Sequence, residues 1–309
     1  MRNTPEEQVS KILMLKEMGM SSRKIAKMVL GSASKKSTVN DIIARATGGK
    51  SGDEHPNILL FDIETSFQLF GGFGRFNQNF SESQVFENTK LLGACAKWLG
   101  SDDMMEIYPE RFEDWSTDYE QKRVLEKMWK LLDKADYIIA HNAPFDTKMM
   151  NAFFIQNGMS KPSPYRVIDT LRIARQNFRF DSNKLDSLGK FLGVGRKVPH
   201  TGFDLWRGCV AGEKESFLQM IEYNIGDIYL LEDIYHILRP WDSNHPNLSI
   251  HYEDRHRCGV CTSTDLEDTG KKAFTNTQSY NLYCCRDCGS WHRIRKADKV
   301  DSKTLVGVK

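Results

Sequence analysis

One stretch sets the pattern against which the rest of the chain is read: Ile58-Leu59-Leu60-Phe61 is apolar without a break, and Asp62-Ile63-Glu64-Thr65 continues it. Four consecutive apolar residues at strand length predict a strand buried on both faces. Side chains alternate along a strand, so Asp62 and Glu64 lie on the same face, about 7 Å apart. Buried acids need a positive partner, and this pair is close enough to share or bracket a divalent ion. Taken alone, it also reads as two acids on a strand end facing solvent.

Upstream the period becomes helical. Thr4-Pro5-Glu6-Glu7 combines a capping Thr, Pro at the first helical position and Glu three residues after the cap. The helix it predicts carries Val9, Ile12 and Leu13 on one face and ends near Gly19. Ser21 or Ser22 caps a second helix with Ile25, Ala26 and Val29 inward, stopping at Gly31. Ser37 caps a third, with Val39, Ile42 and Ile43 inward and Thr38, Asn40, Asp41 and Arg45 outward. Ala46 to Pro56, with three glycines, reads as a flexible linker.

From Asn57 strands and helices alternate. Leu91 to Leu99 and Tyr137 to Ala140 predict strands, Glu120 to Lys134 predicts an amphipathic helix, and Gly71-Gly72-Phe73-Gly74 marks an aromatic, Gly-rich loop. His141-Asn142-Ala143-Pro144-Phe145-Asp146 opens a helix running through Phe154, where an acid is also favoured by the helix dipole. Val167-Ile168-Asp169-Thr170 leads into another helix, and Lys184 to Gly193 forms one closed by glycine. In a last long helix, Glu215 to Leu238, Tyr223 and Asp227 share a face, with Leu218, Ile221, Ile225 and Leu231 expected opposite as its core side.

With 309 residues, 40% of them hydrophobic, the chain can bury a substantial core and form more than one domain. No apolar run approaches the roughly 18 residues of a membrane span, and the N-terminus lacks a signal peptide's apolar region, so a soluble, cytoplasmic protein is expected. The net charge of +2 hides an uneven layout. Residues 1–50 hold ten Lys/Arg against four Asp/Glu, residues 51–249 hold 22 against 29, and residues 250–309 hold 11 against 8. An acidic middle between basic ends suits metal-dependent chemistry flanked by modules that tolerate polyanions.

The acid pair on a strand, Asn142 with Phe145-Asp146 at a helix start, and Tyr223 with Asp227 on a late helix occur in that order. Here the chain resembles the DEDD (DnaQ-like) 3'-5' exonuclease superfamily in its DEDDy branch, which includes the proofreading domains of family B DNA polymerases and RNase D. The resemblance spans about Asn57 to Trp241; Glu222 stands where the DEDDh branch has His. It implies a ribonuclease H-like α/β fold, a mixed sheet flanked by helices, with Asp62, Glu64, Asp146 and Asp227 as ligands of two Mg²⁺ or Mn²⁺ ions. Four carboxylates in one pocket would repel one another without such cations. Tyr223 is then an orienter of the attacking water rather than its base. Thr65 and the Phe67 region are expected to line the terminal nucleotide's pocket, Asn142 and Phe145 to contact nucleic acid, and Arg172, Arg175, Arg179 and Lys184 to lie either along the strand's backbone or on a solvated helix face.

The first three helices resemble a helix-turn-helix of the recombinase or resolvase type. Its third helix would be the reader, with Lys35, Lys36 and Arg45 on phosphate; docking onto protein is the alternative. At the other end, Cys258-Gly259-Val260-Cys261 and Cys285-Arg286-Asp287-Cys288, 23 residues apart, have zinc-ligand spacing. Cys284 competes with Cys285, and His256 or His292 could replace a cysteine. The module resembles a zinc ribbon with one structural Zn²⁺. Tyr283, Trp291, Arg293, Arg295 and Lys296 give it a surface suited to nucleic acid, with a protein-docking knob or a lid as the alternative.

The expected organisation is therefore a helix-turn-helix at 1–46, a linker at 47–56, a DEDDy exonuclease domain at 57–248, and a zinc ribbon with basic tail at 249–309. The expected activity is metal-dependent 3'-5' hydrolysis of single-stranded or frayed DNA ends to nucleoside 5'-monophosphates. An exoribonuclease and a non-catalytic nucleic-acid-binding regulator are the alternatives, and a replication or repair protein is a fitting partner. Transposases and integrases share the helix-turn-helix and ribonuclease H layout, but they order their acids D…D…E, unlike this chain.

Overall fold

The computed structural model describes residues 5–17, 20, 22–32, 35, 38–39, 42, 55–74, 79–109, 118–252, 254 and 256–298. They belong to two compact units, Asn57–Tyr235 and the two chain ends, Met1–Pro56 with His236–Lys309.

At the N-terminus, α1 (Glu6–Glu17) and α2 (Ser22–Val29) bury Ile12, Leu15, Ile25 and Ala26 in a small core that also takes Val39 and Ile42. Leu15, not Leu13, is α1's second inward residue, because three positions after Ile12 brings it back to the same face. Lys35 is exposed. Most of the expected third helix, with Lys36 and Arg45, lies outside the described residues.

The Asn57–Tyr235 unit is built on β1 (Ile58–Thr65), β2 (Leu69–Phe70), β3 (Val85–Glu87), β4 (Leu91–Trp98), β5 (Met104–Ile107), α3 (Asp118–Lys134), β6 (Tyr137–Ala140), α4 (Ala143–Gln156), β7 (Arg166–Asp169), α5 (Thr170–Asn177), α6 (Leu185–Leu192), α7 (Phe203–Val210) and most of α8 (Lys214–Leu238). Five strands form one mixed sheet in the order β5-β4-β1-β6-β7. β1 lies at its centre, antiparallel to β4 and parallel to β6, which explains why its apolar run is buried on both faces. Leu59, Phe61 and Ile63 share a core with Leu125 and Met128 of α3 and Phe153 of α4. Alternation sends Leu60, Asp62 and Glu64 to the opposite face.

α8 corrects an expectation. Leu218, placed on the core side by the sequence pattern, is 51% exposed, and Ile221 and Ile225 are only half-buried. The buried seam is Phe217, Met220, Asn224, Asp227, Leu231 and Ile234, so Tyr223 and Asp227 lie on the inward side. Polar residues face inward here because the facing sheet is itself polar. Beside them a Lys97–Glu232 ion pair, almost fully buried, ties β4 to α8, and the Gly100 N–H donates to the same carboxylate.

The other unit ends in a three-stranded antiparallel sheet, with β9 (Ser279–Cys285) between β8 (Leu266–Phe274) and β10 (Trp291–Arg293). Among the described residues, no helix is long and apolar enough to cross a membrane.

Removing one member of a buried ion pair strands the other charge in the core. Lys97→Ala is expected to lower unfolding free energy by about 3–5 kcal/mol in urea titrations, with Lys97→Met/Glu232→Leu recovering most of the loss.

Candidate active site and cysteine cluster

β1 ends at the site. Asp62 and Glu64 from one face of the strand and Asp227 from α8 bring carboxylate oxygens within 4.8 Å of one another. Asp146 lies outside that tight group, in the first turn of α4, where its Oδ1 accepts the Ile63 N–H at 3.3 Å. The turn into α4 puts Asn142 in the left-handed region (φ 69°), and its N–H donates to Asp169 Oδ1 at 3.0 Å. β1, β6 and β7 run parallel, so the residues following each strand converge at one edge of the sheet.

Two further contacts shape the acids, and neither was predicted from the sequence. Asn224 Nδ2 donates to Asp62 Oδ2 at 2.6 Å, and the Tyr108 hydroxyl donates to Asn224 Oδ1 at 3.2 Å. Gly93 makes room for this relay: a Cβ there would lie 2.3 Å from the Tyr108 ring. Lys197 Nζ donates to Asp227 Oδ2 at 2.5 Å and to Tyr223 Oη at 2.6 Å. Lys197 belongs to a segment without regular structure, held by the Asp186 carboxylate, which accepts the Lys197 N–H at 2.9 Å. Gly226 lets that segment approach α8, since a Cβ there would meet Val198 at 2.8 Å.

Burial dominates the electrostatics. It pushes Glu64 up to about 8, with Asp227 adding to the rise, and Asp146 up to about 7 against the restraint of the Ile63 N–H. Asp62 is raised well above the ordinary range by burial and then by Asp146, Glu64 and Asp227. Asp227 is raised by burial and partly relieved by Lys197. Burial pulls Lys197 down, but Asp227 and the bonds to Asp227 and Tyr223 outweigh it and hold the ammonium above its usual range. Tyr223 is pushed up to about 12 by burial and Asp227, so its hydroxyl keeps its proton at neutral pH.

One ammonium does not neutralise four acids, and Asp227 Oδ1 is buried without a hydrogen-bond partner. Converging hard oxygens, one of them unsatisfied, fit a divalent cation. Around them, Thr65 sits half-buried at a β-bulge, Phe67 packs on Phe203 (centroids 4.9 Å apart), and His200 lies edge-on to both Tyr223 and Trp206. Phe145 is 48% exposed; Arg175, Arg179 and Lys184 are exposed, and Arg172 is half-buried.

In the C-terminal sheet, the Sγ atoms of Cys258, Cys261, Cys285 and Cys288 lie within 4.8 Å of one another, with Cys258–Cys288 at 3.6 Å and Cys261–Cys285 at 3.5 Å. Zinc–sulfur bonds of about 2.3 Å would give tetrahedral edges of about 3.8 Å, so the set fits zinc. Cys284 and His256 lie outside this group; His292 Nε2 approaches Cys258 Sγ at 3.2 Å, as an outer partner.

A mixed sheet with acids on its central strand and helices around it defines a ribonuclease H-like domain. Residues 83–239 match the family profile described as the RNase_H superfamily, and the chain belongs to that superfamily, whose fold points to a nuclease in general. The match takes in Asp146, Tyr223 and Asp227 and begins after β1. No curated protein matches the chain.

The raised carboxylates hold protons in the folded chain that the unfolded chain releases near pH 4, so without Mg²⁺ or Mn²⁺ stability falls as pH rises toward about 8. Calorimetry should show the melting temperature dropping between about pH 5 and pH 8, with Glu64→Gln flattening the slope and Mg²⁺ restoring the loss. For the cysteines, Cys285→Ser is expected to abolish zinc measured by elemental analysis, while Cys284→Ser retains it.

Proposed function

We propose that this chain is a metal-dependent 3'-5' exonuclease of the DEDDy type, removing nucleoside 5'-monophosphates from single-stranded or frayed DNA ends. The observation that carries the reading is the convergence of Asp62, Glu64 and Asp227 oxygens beside a Tyr223 that sits one helical turn before Asp227 on the inward side of α8. Asp146 completes the acid set expected of that branch. Asp62, Glu64, Asp146 and Asp227 would hold the cations, which would supply charge neutralisation at the phosphodiester and acidify water.

The protein's own groups set the geometry. Asn224, itself held by Tyr108, fixes one oxygen of Asp62 and with it the set of the carboxylate. Tyr223 accepts from Lys197 and keeps its own proton, the proton with which it would orient a water or a phosphate oxygen once a cation occupies Asp227. A phenol that stays protonated up to about 12 does not serve as base near neutral pH. The Lys197 ammonium adds positive charge where a phosphodiester would sit. Phe67, Phe203, His200 and Trp206 offer faces and edges for the terminal base.

At the ends of the chain, we read residues 1–46 as a helix-turn-helix joined by a linker at 47–56, and 249–309 as a zinc ribbon, both serving to hold nucleic acid for the exonuclease domain at 57–248. DNA is favoured over RNA because the helix-turn-helix resemblance implies it.

Matched 5'-labelled single-stranded DNA and RNA, digested with Mg²⁺ or Mn²⁺, should give a ladder that shortens from the 3' end. Asp227→Ala is expected to lower the rate by about 10³-fold or more. Binding of both strands with no cleavage of either would sink the enzyme reading. Asn224→Leu is expected to cost about 10–100-fold in Mn²⁺ affinity, read by titration calorimetry.

A further inference from the structure

On the surface formed by α5 and α6 stands a group of aromatic rings that the acid cluster does not use. The Phe178 and Phe180 rings stack with centroids 4.9 Å apart, and Phe191 of α6 meets Phe180 edge-on at 5.0 Å. Rings that served only the core would be hidden from water, yet Phe191 is 72% exposed and Phe178 and Phe180 are half-buried.

Cations accompany the rings. Arg175 lies one turn before Phe178 on the same side of α5, and Lys184 two turns before Phe191 on the same side of α6. Both are exposed, and neither makes an ion pair among the described residues. From Arg172 to Phe191 the chain carries five Lys/Arg and two Asp, and one of those acids, Asp186, is bonded to Arg196 at 3.1 Å. The C-terminal sheet, by contrast, divides its rings and cations. Its register puts Trp291 and Arg293 on one face, under Lys271 and over Tyr280, and Tyr283 and His292 on the other.

The patch is joined to the acid site. The Asn183 carbonyl meets His141 Nε2 at 2.9 Å, one residue before Asn142. Asp186 accepts the N–H of Lys197, whose ammonium donates to Asp227 and Tyr223. Burial pulls His141 below its ordinary range, and the charges of Lys197 and Arg175 push the same way, so Arg175 too lies on this side. Arg175 and Lys184 therefore stand next to the carboxylates, with Phe191 about 10 Å farther along α6.

Aromatic faces stack any base, and unpaired cations answer the charge of a phosphate backbone. We infer that this patch binds the single strand upstream of its 3' end, with phosphates on Arg175 and Lys184 and a base on Phe191. The inference rests on the exonuclease reading for the direction of the strand. The unpaired cations beside the rings argue for nucleic acid as the occupant rather than an apolar protein surface.

The test is fluorescence anisotropy of the full chain with a short fluorescein-labelled oligothymidylate and with an abasic strand of equal length, both without divalent cation. Phe191→Ala should weaken oligothymidylate binding about tenfold and leave the abasic strand unaffected, and Phe191→Trp should keep the wild-type preference. Arg175→Ala/Lys184→Ala should weaken both strands and reduce the salt slope by about 1.4. Unchanged oligothymidylate affinity in Phe191→Ala, or an equal loss on the two strands, overturns the proposal. The p-nitrophenyl ester of thymidine 5'-monophosphate has no upstream nucleotide, so its hydrolysis with Mn²⁺ should persist in Phe191→Ala. Loss of that hydrolysis together with strand binding would give the ring a structural role and also overturns the proposal. Absence of ester hydrolysis in wild type counts against the exonuclease and leaves the binding comparison to decide the patch.

Discussion

Mutual repulsion among acids that cannot reach water is the constraint on which the rest of this structure depends. Asp62 and Glu64 sit on the central strand of a five-stranded sheet, in the stretch paired with β4, so neither can turn outward without disturbing that pairing. α8 closes over them and adds Asp227, and α4 adds Asp146. Each surrounding feature answers that repulsion in part: an amide on Asp62, a backbone N–H on Asp146, an ammonium on Asp227. The remaining unpaired oxygen of Asp227 shows that these answers are incomplete.

The cysteine set and the acid set differ in kind. The cysteine set is closed, four sulfurs facing one another on short turns, and a metal there would be walled off from substrate. The acid set lies beside Tyr223, His200 and the aromatic residues of α7, and draws its carboxylates from elements far apart in sequence. One arrangement suits a fastener, the other a working surface.

Much of this was legible locally. An apolar run meeting alternating acids marked β1, and the i, i+4 spacing marked Tyr223 and Asp227. The CxxC pairs marked the sulfurs, though only the three-dimensional arrangement separates Cys285 from Cys284. What stayed hidden depends on contacts across long separations. Tyr108 reaches Asn224 across 116 positions, and nothing about a tyrosine after a short strand announces that. Lys197 lies in an irregular segment where no periodicity points inward. The orientation of α8 was misread for a related reason: hydrophobicity identifies the buried face only when the surface it meets is apolar, and here that surface carries two carboxylates. β2, β3, β5 and α7 are short enough that their patterns vanish among loop residues.

The Lys197–Asp227 pair bears on the order of assembly. A domain whose acids could be tolerated only with magnesium present would have to meet its ion before closing, and would stay open wherever the ion was scarce. By carrying a cation on its own chain, tethered through Asp186 and admitted by Gly226, this one can close α8 over β1 first. Its shape is then made by the polypeptide, with a lysine balancing a charge that would otherwise have to wait for a cation from solution.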